Sequence, residues 1–112
     1  MRPAARLAGT GFCVTNSFKL TEDAERDVID IYLYTAEHFG VAQAEKYSDE
    51  LFQRFSQIAH KPTLGRSFAD IHPGTLRINQ GSHAIYYKKQ GEFVLVLRIL
   101  HQMMDPARHL NE

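Results

Sequence analysis

Between Thr21 and His60 the apolar residues of this chain recur every three to four positions, and from Leu76 onward they alternate or run together. That change of period separates a helical half from a strand half. Phe18 and Leu20 flank Lys19 with the alternation of a short strand. Thr21 is a good N-cap, and Glu22, Asp23 and Glu25 put negative charge where the helix dipole favours it. Ala24, Val28, Ile31, Tyr32, Thr35 and Phe39 then fall on one helical stripe, and Gly40 supplies a left-handed stop. A second helix is expected from about Val41 to His60, with Ala44, Tyr47, Leu51, Phe55 and Ile58 on one face. Only a turn separates the two, so they should fold back as an antiparallel hairpin.

Pro62 ends the helical region, and Pro62, Gly65, Pro73 and Gly74 mark a loop. Three strands are expected next, at Leu76 to Asn79, His83 to Lys88 and Glu92 to Leu100. Gly81-Ser82 and Gln90-Gly91 are turn dipeptides at hairpin spacing, which predicts an antiparallel meander. The last strand, containing Phe93 to Leu97, is apolar on both faces and belongs in the centre of the sheet, while residues 18–20 add an edge. Asp105 and Pro106 are placed to start one short terminal turn of helix. The fold class is then α+β: an N-terminal strand and a helix hairpin packed on a small antiparallel sheet, in the order β-α-α-β-β-β, with a short C-terminal helix. Residues 1–17 have no periodicity and are read as a poorly ordered extension; residues 18–112 form a single domain.

Composition narrows the function classes. Thirteen basic and thirteen acidic side chains cancel, so general coating of nucleic acid, which needs a basic excess, is disfavoured. The lone Cys13 has no partner within the chain for a disulfide, which fits a reducing cytoplasm. No stretch approaches the roughly eighteen apolar residues of a membrane span. The charge is nevertheless unevenly spread: residues 18–61 carry five basic and nine acidic side chains, net −4, and residues 62–112 carry six and four, net +2. An acidic partner should therefore meet the sheet and the tail.

Arg98 is the sharpest single signal, because it interrupts an apolar strand where a guanidinium must be paired or reach water. Two readings are open: an internal ion pair, or a contact for an anion or a partner's carboxylate. His101, three residues on and on the opposite strand face, is either a general acid or base or a strand-end histidine bonded to backbone. Arg77 lies in the first meander strand. His101, Asp105 and His109 are spaced by four, but Pro106 breaks any helix that would align them, and His38, His60, His72 and His83 show no ligand pattern. No metal and no cofactor is expected. No Gly-x-Ser-x-Gly or P-loop is present. The helical Tyr and Phe residues read as core, and of the consecutive Tyr86 and Tyr87 one should face the core and the other not.

These residues resemble the RelE/ParE superfamily of bacterial toxins. The likeness runs from Phe18-Lys19-Leu20-Thr21 and Ala24-Glu25-Arg26-Asp27, through Leu76-Arg77-Ile78 and Ala84-Ile85-Tyr86-Tyr87, to the ending. There, Val96-Leu97-Arg98-Ile99-Leu100-His101-Gln102 and Met104 to Leu110 are similar to the ParE branch in particular. The resemblance implies the toxin of a type II toxin–antitoxin system, one that inhibits DNA gyrase, blocks replication and catalyses nothing itself. It also implies a cognate ParD-like antitoxin whose disordered tail folds on the toxin as a hetero-oligomer. Direct sequence-specific DNA binding is not expected of the toxin. On this reading Arg98, His101, Arg108 and His109, at the positive C-terminal end, contact the target. The rival implied by the RelE branch is a ribosome-dependent mRNA endonuclease using Arg77, Arg98 and His101. Against it, no aromatic follows Phe93 and the net charge is neutral. A non-toxic antitoxin-binding module of the same fold is the third reading.

Overall fold

Thr21 starts the first helix as its side chain suggests: in the computed structural model, which describes residues 17–67 and 73–103, its hydroxyl accepts from the Ala24 N–H at 3.0 Å. Helix α1 spans Glu22–Phe39 and helix α2 spans Val41–His60. Between them Gly40 has φ +96°, a value that favours glycine, with ψ at 159° rather than in the left-handed helical well expected for the stop. Its N–H closes α1 on the Ala36 carbonyl and its own carbonyl accepts from Ala44 to open α2, which folds the hairpin on one residue. The stripe on α1 buries Ala24 and Ile31, but Phe39 at the last turn is 69% exposed.

Five strands make one sheet: β1 (Ser17–Leu20), β2 (Arg66–Ser67), β3 (Leu76–Gln80), β4 (His83–Gln90) and β5 (Phe93–His101), in the order β1-β5-β4-β3-β2. The meander of β3, β4 and β5 is antiparallel, as the turn spacing predicts. Its second turn falls on Gly91 and Glu92, one residue later than expected, with Gly91 at φ +64°. Three features differ from the sequence expectation. The sheet is mixed, because β1 runs parallel to β5. The central strand is β4, with β5 interior beside it. A two-residue strand, β2, adds the far edge within the loop after α2. Of the extension expected over residues 1–17, Ser17 is instead the first residue of β1, while residues 1–16 and the terminal helical turn expected at Asp105 lie outside the described residues.

Both faces of the sheet carry a cluster of buried residues. On the helix side, Ala24, Ile31, Leu51, Phe55 and Ile58 pack against Ile85, Tyr87, Val94, Val96 and Ile99. On the other side Ala84, Tyr86 and Leu100 form a second cluster, with Leu97 packed on it. Tyr86 and Tyr87 thus point to opposite faces, yet both are shielded, at 3% and 0% exposure, contrary to the expectation that only one would be covered. The register shifts where Tyr86 faces Arg98 and Tyr87 faces Val96, which makes Leu97 the extra residue of a bulge.

Candidate functional site

The parallel strand β1 ends opposite Val96, so beyond that point the edge of β5 needs other partners. Residues at the start of α1 supply them. Thr21 donates its N–H to the Val96 carbonyl at 3.1 Å and its hydroxyl to the Leu97 carbonyl at 2.8 Å. Nearly two turns on, Asp27 accepts the Ile99 N–H at 3.0 Å. The same carboxylate holds Arg98 with both oxygens, Nε to Oδ2 at 2.7 Å and Nη2 to Oδ1 at 3.0 Å. The two side chains are 20% and 12% exposed. Of the two sequence readings of Arg98, the structure therefore realises the internal ion pair. Its Asp27 partner escaped the sequence reading, although an acid between Ala24 and Ile31 on the buried stripe of α1 carried the signal.

His101 lies at the exposed end of β5, directly opposite His83 on β4. The Gln102 N–H bonds to the Ser82 carbonyl at 3.0 Å, which makes His83 and His101 a non-hydrogen-bonded pair whose side chains are close; their ring centroids are 5.4 Å apart. Tyr47 on α2 reaches this pair from below, its hydroxyl donating to the Gln80 carbonyl at 2.7 Å. The hydroxyl proton is thereby used, so the 2.8 Å contact to His83 Nδ1 is one in which the imidazole N–H donates. His101 Nδ1 instead accepts the Met103 N–H at 3.1 Å, which leaves the proton of its neutral ring on Nε2. The two imidazoles open into a groove of about 910 Å³ lined also by Ile31, Tyr34, Phe39 and Tyr47.

Burial pushes the pKa of His83 below the usual histidine value, the charge of His101 pushes it further down, and Asp27 pulls it back up. A base with a lowered pKa in the folded state binds its proton more readily once unfolded. Stability contributed by neutral His83 is thus present above the unfolded value of about 6.5 and is lost as pH falls below it toward the folded pKa. Thermal melts should show a drop in Tm between about pH 7 and about pH 5 that is smaller in His83→Asn than in the parent chain.

The sequence-derived residues fall into two groups. Arg77 faces Tyr86, which faces Arg98, so the two arginines flank one tyrosine in a single cross-strand row. His101 lies in another row with His83 and, past the bulge, on the other face from Arg98. Arg77, Arg98 and His101 do not converge on one point, and the Arg98 guanidinium is already engaged. Arg108 and His109 lie outside the described residues. Among the described residues no group of three or more His, Cys, Asp and Glu is placed to hold a metal ion, and no helix is long and apolar enough to cross a membrane.

Comparison with known proteins agrees with the resemblance read from the sequence. Residues 18–106 match the family model described as the ParE toxin of the type II toxin–antitoxin system parDE. Toxin ParE1 of Mycobacterium tuberculosis is 35% identical over 98 residues, covering 87% of this chain and 100% of that protein. Toxin ParE1 of Caulobacter vibrioides is 34% identical over 93 residues, covering 83% and 96%. Among solved structures, the chromosomal ParDE system from P. aeruginosa superposes with a TM-score of 0.67 at 19% identity, over 78% of this chain and 96% of that one, a likeness of fold. The match spans the strand, the hairpin and the meander together, and the chain belongs to the ParE toxin family of type II toxin–antitoxin systems.

Proposed function

We propose that this chain is a toxin that poisons DNA gyrase through its C-terminal end, acts in the cytoplasm, and is neutralised by a ParD-like antitoxin in a hetero-oligomer. The observation that carries the reading is the family match, which runs unbroken through β5 into the segment beyond it. The P. aeruginosa relative, a ParDE system, supports an antitoxin partner. Charge supports the end of the molecule: residues 62–112 are net +2, with Arg108 and His109 in the last five residues. Exposed apolar side chains on the hairpin, Ile29, Leu33 and Tyr34 on α1 and Val41 at the turn, offer the kind of surface on which a disordered tail folds. Arg98 would serve the target indirectly, by fixing the last strand against α1, and His101 directly.

The ribonuclease reading needs a base, an acid and a phosphate contact around one ribose phosphate. The separation of His101 from the Arg77–Arg98 row argues against it. Removing residues 104–112 should abolish growth inhibition while leaving a folded core, since the bonds from Gln102 to Ser82 and Gly81 that hold the end of β5 are kept. Growth curves with induced parent and truncated chains, with circular dichroism on both, check this. Full toxicity from the truncated chain would remove the C-terminal end from the mechanism.

A further inference from the structure

The anion contact that Arg98 suggested from the sequence has a better candidate elsewhere on the sheet. Arg66 on β2 and Arg77 on β3 stand in direct cross-strand register. Like charges directly opposite one another destabilise a strand pair. The other arginines of the described residues have partners: Arg26 pairs with Asp23, Arg98 with Asp27, and Arg54 bonds to the side-chain oxygens of Gln80 and Gln57. Arg66 and Arg77 have no carboxylate partner among the described residues. They share a concavity of about 460 Å³ with Leu64, Ser67, Ile78 and Asn79, and among the described residues no acidic side chain lines it.

The opposition is built in. The hydroxyl of the fully buried Tyr87 donates to the Pro62 carbonyl at 2.6 Å and accepts the Gly65 N–H at 2.9 Å, which fixes the chain just before Arg66. Gly65 lies so close to Tyr87 and to the Arg77 carbonyl that a Cβ there has no room. On the neighbouring strand the Arg77 guanidinium rests 5.8 Å from the centre of the buried Tyr86 ring. Both guanidinium stems thus start from rigid backbone, so little ordering is needed before an anion is bound.

We propose that Arg66 and Arg77 form an oxyanion site that takes a dianionic phosphate group, free or as a phosphomonoester. Two opposed guanidinium forks present more donors and charge than one carboxylate can satisfy, whereas a tetrahedral dianion matches both. The site is independent of the target proposed for the toxin.

The test is a titration of the full chain with sodium phosphate, followed by the arginine Nε–Hε resonances and by Tm, against sodium acetate at equal ionic strength. Phosphate should shift the Arg66 and Arg77 signals saturably and raise Tm. Arg66→Gln or Arg77→Gln should weaken the affinity by roughly tenfold or more, and Arg26→Gln should leave it unchanged. Arg66 is exposed on a two-residue edge strand, so its variant stays folded even if that of Arg77 does not. Adenosine monophosphate and a dinucleotide without terminal phosphate separate the sources: preference for the monophosphate supports the dianion, and equal binding assigns the site to backbone phosphodiesters and overturns it. Shifts that do not saturate, an equal response to acetate, a double variant that binds like the parent, or tighter binding of a glutamate-rich peptide would each overturn the site.

Discussion

Asp27→Ala is expected to lower the stability of the chain by about 2–4 kcal/mol, somewhat below the cost of removing one partner of a fully buried ion pair because the two side chains keep some solvent contact. For a domain of this size that is a fall in Tm of about 10–25 °C. The effect is large because one carboxylate closes three bonds, two to the Arg98 guanidinium and one to the Ile99 N–H, on the part of β5 that β1 does not reach. Alanine removes two bonds from the guanidinium and leaves the Ile99 N–H without its carboxylate acceptor. Replacing both partners, as Asp27→Leu with Arg98→Met, should recover much of the loss, since the strand keeps its packing without an uncompensated charge. Urea unfolding of the two single variants and a double Asp27→Ala/Arg98→Ala variant gives the coupling energy. A loss below about 1 kcal/mol for Asp27→Ala would show that the pair behaves as a surface contact.

Gly65→Ala should cost about 2–4 kcal/mol, from overpacking and a broken hydrogen bond together. Backbone conformation is not the cause, because φ at Gly65 is −81°, open to any residue. The cause is space: a Cβ would collide with the Tyr87 hydroxyl and come within 2.8 Å of the Arg77 carbonyl oxygen. Neither neighbour yields easily, one being a buried ring held by two hydrogen bonds and the other a strand backbone. The strand pair β2–β3 must therefore open, and hydrogen exchange at Arg66, Ser67 and Arg77 should quicken more than exchange in β4. Tyr87→Phe removes both hydroxyl bonds without overfilling the site, and should be the milder of the two variants.

Helix limits were legible because single residues carry them. Thr21 offers an oxygen to the first turn and Gly40 allows a backbone angle that other residues resist, and both effects act within four residues. The meander was legible for a similar reason, since Gly81 and Gly91 punctuate runs of period two. Strand direction is not of this kind. Phe18, Lys19 and Leu20 alternate in the same way whether β1 runs with or against β5, and only the handover at Thr21 to a helix crossing the sheet sets it parallel. A two-residue strand such as β2 is too short to alternate at all, which is why Arg66 did not enter the candidate set.

Side-chain pairing was less visible than side-chain type. Arg98 stood out as a charge in an apolar strand, but its partner lies 71 residues earlier on α1, and no local pattern joins them. His101 was visible as a terminal histidine, whereas its pairing with His83 follows from a register that the Leu97 bulge shifts by one residue. The same bulge ends the simple alternation along β5. One of Tyr86 and Tyr87 was expected to be uncovered because a sheet with helices on one face usually leaves the other wet; here Tyr86 is buried in a second cluster with Ala84 and Leu100, on which Leu97 packs.

The central claim, that this ParE-family chain acts on gyrase, is met most directly by mixing the purified protein with DNA gyrase, ATP and plasmid. Supercoiling and trapped double-strand breaks are then scored, with and without an excess of the proposed ParD-like antitoxin. The account predicts lost supercoiling and accumulated linear DNA, both reversed by the antitoxin and both absent with the chain that lacks residues 104–112. Normal supercoiling with no trapped cleavage, from a protein that still arrests growth, would contradict it.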